Sequence, residues 1–182
     1  NYADSKMRII QNQTQDDIFV YWKQDEYIDK ELEKRRAGYA PQPTPSSKPV
    51  HGGCPRECSF CDADFEKLNL EFSQMGQHNK RNALAAYFAT QNAGVSEDVI
   101  RECLQNFPGV EHRLERVGEK HGVLFINDSK ATNVDASYVA MQAMERPTVL
   151  IVGGKDKGND YSTLVDIVRE KCRAIVFLGA DN

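Results

Sequence analysis

Gly122-Val-Leu-Phe-Ile126, Thr148-Val-Leu-Ile-Val152 and Ala174-Ile-Val-Phe-Leu178 decide the fold. Each is a short run with almost no polar residue, and the helix-like stretches 136–144 and 161–172 lie between them. A strand with one wet face alternates apolar and polar residues. These runs do not alternate, so both their faces are expected to be covered. Such strands interleaved with helices imply an α/β fold with a parallel sheet between helical layers. Ligands of these sheets collect beyond the carboxyl ends of the strands, which draws attention to residues 127–133 and 153–160.

Upstream of Glu111 the rhythm differs. Asp17-Ile-Phe-Val-Tyr-Trp22 reads as a strand, residues 2–12 as the end of a helix, and 25–38 as a short exposed helix carrying Tyr27, Ile28 and Leu32. Pro41, Pro43, Pro45 and Pro49 make the next stretch a loop. Leu68-Asn-Leu-Glu-Phe72 alternates as a half-buried strand does. Residues 82–92 form an Ala-rich helix closed by Gly94, and Ser96-Glu-Asp98 supplies the cap and acidic first turn of another, ended by Pro108. Back-to-back helices suggest the end of a domain, so the expected division is 1–109 and 110–182, with Gly109 at the joint.

With 182 residues the chain can bury one good core or parts of two. Its 23 Lys and Arg against 27 Asp and Glu leave a net charge of −4, which argues against a nucleic-acid binder. No apolar run reaches the ~20 residues of a membrane-spanning helix, so no membrane partner is expected. The chain opens without Met and closes directly after a strand-like run, so a longer parent protein is expected. No secretion signal is visible. Five cysteines, three of them crowded together, do not resemble a disulfide framework, and the cytoplasm is the expected compartment.

Two loops carry chemistry. Asn127-Asp-Ser-Lys-Ala-Thr-Asn133 sets a carboxylate, hydroxyls and an ammonium at a strand's carboxyl end. Asp128 suits a ribose hydroxyl or a metal-bound water, and Lys130 a phosphate or carboxylate. The plainer alternative is that Thr132, Asn133 or Asp135 caps the following helix. Gly153-Gly-Lys-Asp-Lys-Gly158 has the glycine separation of a P-loop but continues with Asn159 and Asp160, where that loop needs Lys and a hydroxyl residue. What remains is a glycine turn offering N–H groups, Lys155 and Lys157 to an anion. Asn79 and Asn82, three apart, share a helix face and suit one ligand, although Asn79 is equally a cap. His112 and Arg113 precede the second domain, where a guanidinium suits either a nucleotide or a structural ion pair.

Taken together, residues 76–82, 112–115, 125–133 and 153–158 resemble the Mur ligase family, and Ser129 with Lys130 resemble its D-glutamate-adding branch. The resemblance implies that residues 1–109 are the end of a central ATP-binding α/β domain and 110–182 the first part of a Rossmann-like C-terminal domain. It implies ATP and Mg²⁺ as cofactors, UDP-N-acetylmuramoyl-L-alanine and D-glutamate as substrates, and a monomer at full length. Lys6 matches the family's carbamylated lysine, whose carbamate oxygens help hold Mg²⁺; adding CO₂ turns a cation into the oxygen ligand a hard metal requires. Asn79 and Asn82 match positions near the ATP base and ribose, His112 and Arg113 match nucleotide contacts, and Asp128 matches a ribose or hinge contact. Lys130 and Thr132 match positions beside the phosphates and D-glutamate, and Lys157 a lysine that pairs the amino acid's side-chain carboxylate. The family's P-loop and the metal ligands that precede Lys6 are not in this sequence, so the chain by itself is expected not to turn over.

Cys54-Pro-Arg-Glu-Cys-Ser-Phe-Cys61 has the spacing of the cluster motif of radical S-adenosylmethionine enzymes, three thiolates for an iron–sulfur cluster. With His51 a zinc site is equally permitted. The barrel such radical enzymes need does not follow, so reduced thiols in a surface loop are expected. The alternative function is a non-catalytic metal-binding module on Cys54, Cys58, Cys61 and His51.

Overall fold

A computed structural model describes residues 2–37, 55–154 and 158–179. It comprises two compact units, one of residues 1–72 and 81–106, the other of 73–80 and 107–182. Among the described residues no helix is long and apolar enough to cross a membrane.

In the first unit, strands β1 (Ile18–Trp22) and β2 (Arg56–Phe60) pair in parallel, with Ile18 opposite Arg56 and Trp22 opposite Phe60. Period-two alternation sends β1 into two cores. Phe19 and Tyr21 pack with Met7 and Ile10, which belong to and follow helix α1 (Tyr2–Met7), and with Leu32 of α2 (Glu26–Arg36). Val20 and Trp22 face the other cluster with Phe60, Phe65 of α3 (Ala63–Lys67), Leu84 and Tyr87 of α4 (Gln77–Asn92), and Ile100 of α5 (Glu97–Gln105). Stacked Phe19 and Tyr21 rings, 5.3 Å between centroids, fill the first core.

Three expectations are corrected here. Residues 68–72 form no strand: Leu70 is buried and Phe72 half-buried, but Asn69 turns at φ 47° and no strand among the described residues pairs with them. Alternation reports which way side chains face, and pairing needs a neighbour that it does not specify. The Cys54–Cys61 stretch is not a loop from end to end, since residues 56–60 are β2. The Ala-rich helix also starts earlier than 82, at Gln77.

Glu57 of β2 ties this unit together on its polar side. Its carboxylate accepts from the Arg36 guanidinium, 2.9 Å from Nε, and from the Tyr21 hydroxyl at 3.0 Å. Arg36 holds the Glu57 carboxyl below its ordinary value of 4.5, against the opposing effect of burial. A carboxyl lowered in this way stabilises the fold above its unfolded pKa and loses that contribution as pH falls through the folded one. Unfolding free energy is therefore expected to drop on acidification below pH 4.5, by about 1 kcal/mol at most from this pair because half-exposed Arg36 is screened. Glu57→Gln should flatten that part of a pH series of urea melts.

In the second unit, β3 (Glu115–Lys120) and β4 (Val123–Asn127) form an antiparallel hairpin, and β5 (Thr148–Gly153) pairs in parallel with β6 (Cys172–Leu178). Helices α6 (Val134–Gln142) and α7 (Val165–Lys171) supply Met141 and Ile167 to a core with Leu114, Met144 and Leu150. The fold is thus α/β, but the expectation that 122–126, 148–152 and 174–178 share one parallel sheet is corrected. The first of these pairs antiparallel with β3, and only the other two are parallel neighbours. His121 (φ 51°) and Gly122 (φ 77°) form the two-residue turn with both residues left-handed that a tight hairpin prefers. Double coverage is also incomplete, since Val149, Ile151 and Phe177 are 57%, 63% and 68% exposed.

Candidate functional site

An antiparallel hairpin returns the chain to where it began, so the turn before β3 and the loop after β4 meet. Glu115 stands opposite Asn127 in the register. The Lys130 N–H donates to the His112 carbonyl at 3.0 Å, and the Leu114 N–H to Asp128 Oδ1 at 3.1 Å. Glu115 Oε2 accepts from the His112 N–H at 2.8 Å and from the Asn127 amide at 3.2 Å; that amide nitrogen is also 2.8 Å from His112 Nδ1. These bonds hold His112 and Leu114 at φ 64° and 45°, an uncommon backbone for residues with a Cβ. Asn127 Oδ1 accepts from the Ser129 N–H at 3.1 Å, and the Asp128 carbonyl from the Ala131 N–H at 2.8 Å, closing the loop.

Three of the candidate residues, His112, Asp128 and Lys130, thus lie in one bonded cluster. Arg113 sits between His112 and Leu114 in the turn, its N–H donating to the Val110 carbonyl at 3.1 Å, and Thr132 follows Lys130 by two residues. Arg113, Lys130 and Thr132 are exposed and Asp128 is half-buried. One Asp128 oxygen serves the Leu114 N–H, so this carboxylate braces the turn whatever else it contacts. Two exposed cations beside a braced turn suit an anionic ligand. Of the three caps foreseen, Asn133 takes the role: its Oδ1 accepts from the Ala136 N–H at 2.7 Å, leaving Thr132 ahead of the helix. Asn133→Ala is expected to cost about 1 kcal/mol in thermal unfolding, and Asn133→Asp to retain the cap.

The other candidates lie apart from this cluster in the chain. Asn79, 9% exposed, donates from its side-chain amide to the Met75 carbonyl at 2.8 Å, while Asn82, one turn along α4, is exposed. Lys6 is exposed on α1, which is anchored through buried Met7 and through Asp4; Asp4 accepts from the Tyr27 hydroxyl and pushes that phenol up to about 12. Lys155 and Lys157 lie outside the described residues, as do Cys54 and His51. Cys58 lies in β2 with its Sγ 3.6 Å from the Asn92 amide nitrogen, and Cys61 follows the strand. Among the described residues no group of three or more His, Cys, Asp or Glu side chains is placed to hold a metal.

Glu115 and Asn127 were given no role by sequence reasoning, although they bond the turn to the loop. The available signal was the His121-Gly122 turn, which predicts a hairpin and hence the meeting of its ends.

Residues 112–182 match the family described as Mur ligase, glutamate ligase domain. The chain is 45% identical over 188 residues to a UDP-N-acetylmuramoylalanine–D-glutamate ligase of Bacteroides thetaiotaomicron and 44% over 193 residues to that of Bacteroides fragilis. It is 42% identical over 187 residues to that of Christiangramia forsetii. In each case the alignment takes in 100% of this chain and 42% of the relative.

Proposed function

Since residues 112–182 match the Mur ligase family in its glutamate ligase domain, we propose that this chain serves an ATP-dependent ligase that joins D-glutamate to UDP-N-acetylmuramoyl-L-alanine in peptidoglycan precursor synthesis. The chain spans about two fifths of the length of the relatives it matches, so the activity is assigned to the protein at the length of those relatives. The terminal phosphoryl group of ATP passes to the muramoyl-alanine carboxylate. The amine of D-glutamate then attacks the acyl phosphate, giving the amide, ADP and phosphate.

The observation that carries this reading is the loop after β4, whose main chain is tied to the His112 turn while the Lys130 side chain stays in solvent. Lys130 and Thr132 take the phosphate and D-glutamate side, His112 and Arg113 the nucleotide, and Asp128 a ribose or hinge contact. Asn79 and Asn82 take the base and ribose, and Lys157 the side-chain carboxylate of D-glutamate. Charge stabilisation of the acyl phosphate and its tetrahedral successor is the main contribution of these cations. The described residues do not compose a Mg²⁺ site by themselves; Lys6 as a carbamate would supply one oxygen ligand to it. Residues 1–109 then end the central domain and 110–182 begin the C-terminal one. A cytoplasmic monomer fits this reading.

The test is an assay of the protein at the length of its relatives. ADP release should require UDP-N-acetylmuramoyl-L-alanine and D-glutamate together; preference for another amino acid overturns the assignment.

A further inference from the structure

In the first unit, Trp22, Asp62 and Arg81 form a closed cluster to which the proposed chemistry assigns nothing. Arg81 donates from Nε to Asp62 Oδ1 and from Nη2 to Asp62 Oδ2, both at 2.7 Å. The Trp22 indole N–H donates to the same Oδ1 at 3.1 Å, and the Arg81 guanidinium carbon lies 3.9 Å from the centre of the Trp22 ring. The Asp62 N–H reaches Gln24 Oε1 at 3.4 Å, and the Lys23 N–H donates to the Phe60 carbonyl at 2.8 Å. Arg81 is therefore gripped in the plane of its guanidinium and on one face. Two parallel hydrogen bonds and a stacked ring define orientation as a single point contact does not. Isolated surface ion pairs add little stability, and about a third of each of these two charged side chains is exposed, so orientation is the larger consequence.

The location gives that orientation a use. Trp22 ends β1 and Asp62 follows β2, so the cluster marks the carboxyl ends of two parallel strands, where α/β sheets receive ligands. Arg81 lies on the second turn of α4, and the next residue along the helix is Asn82, whose side chain is exposed. Rotation or sliding of this end of α4 would carry both residues together.

We infer that Asp62 is a positioning residue: by clamping Arg81 against Trp22 it sets the rotation of α4 and so aims the Asn82 amide at the nucleotide. This rests on the proposed nucleotide role of Asn82. It predicts that Asp62 acts on ATP binding, without touching ATP, and leaves the D-glutamate step alone.

The experiment uses the ligase at the length of its relatives. Asp62→Asn keeps the side-chain volume and an acceptor for Trp22 but gives up the paired carboxylate oxygens. It should raise KM for ATP about tenfold, the loss of one well-aimed hydrogen bond, with kcat and KM for D-glutamate unchanged. Asp62→Glu should recover part of the loss, and Asp62→Asn combined with Arg81→Leu should be no worse than the poorer single variant. If Asn82→Ala raises KM for ATP while Asp62→Asn leaves it unmoved, the positioning inference is overturned and the nucleotide reading stands. If Asn82→Ala also leaves it unmoved, the nucleotide role of Asn82 falls and the inference with it. A decline in all kinetic constants together with melting temperature reduces the cluster to a structural tie and equally overturns the inference. So does a tenfold rise in Arg81→Leu that Asp62→Asn does not share, which would make Arg81 itself the ligand.

Discussion

Gly153→Val should break the end of the β5–β6 pair and lower the stability of the second unit by about 3 kcal/mol, the upper part of the range for forced overpacking. Gly153 stands opposite Leu178 in the register, and a Cβ there would lie 2.0 Å from the Leu178 carbonyl oxygen and 2.9 Å from its carbonyl carbon. The obstacle is main chain, so no rotamer change relieves it, and the strands must separate or bend. Thermal unfolding reads the loss, and amide exchange should show it concentrated in β5 and β6. Gly118→Ala is the control: nothing lies within 4 Å of the added carbon, and its backbone is not left-handed, so it should be neutral. A Gly153→Val protein that melts like the parent would mean that β5 and β6 do not approach as described.

Lys130→Ala should lower turnover in the ligase by about 100- to 1000-fold, the usual consequence of removing one charge-stabilising donor from acyl or phosphoryl transfer. The structure separates this from a folding effect. Lys130 holds the His112 turn through its main-chain N–H, which alanine retains, and its side chain is exposed. Melting temperature should therefore stay where it is while kcat collapses. Lys130→Arg should recover little, because a planar fork does not replace a compact ammonium. Unchanged turnover would remove Lys130 from the chemistry and leave it as a loop residue. A fallen melting temperature would show that its side chain has structural partners.

Much of the local structure was legible beforehand. The β-branched and aromatic run of β1, the charged helix α2, the Ala-rich α4 closed by Gly94 at φ 87°, and α5 behind Ser96 all follow from residue type within a few positions. Polarity directly after an apolar strand drew attention to Asp128 and Lys130, of which the structure leaves Asp128 half-buried and Lys130 in solvent. β3 was missed because Glu115-Arg-Val-Gly-Glu-Lys120 is charged and contains a glycine, so its β character comes from the partner strand. For the same reason, residues 68–72 show strand-like alternation without being one.

The amino-acid order by itself determined the α/β class, most helices and the apolar strands. Tertiary structure alone decided that β4 pairs with β3, that the His112 turn is bonded to the Asp128 loop, that Asn133 is the cap, and that Asp62 grips an arginine nineteen residues away. The division has a physical cause. Backbone preference and facing depend on neighbours a turn or a pleat away, whereas pairing and clamping depend on which distant segments the chain closes together, and that is settled by the summed packing of a whole unit.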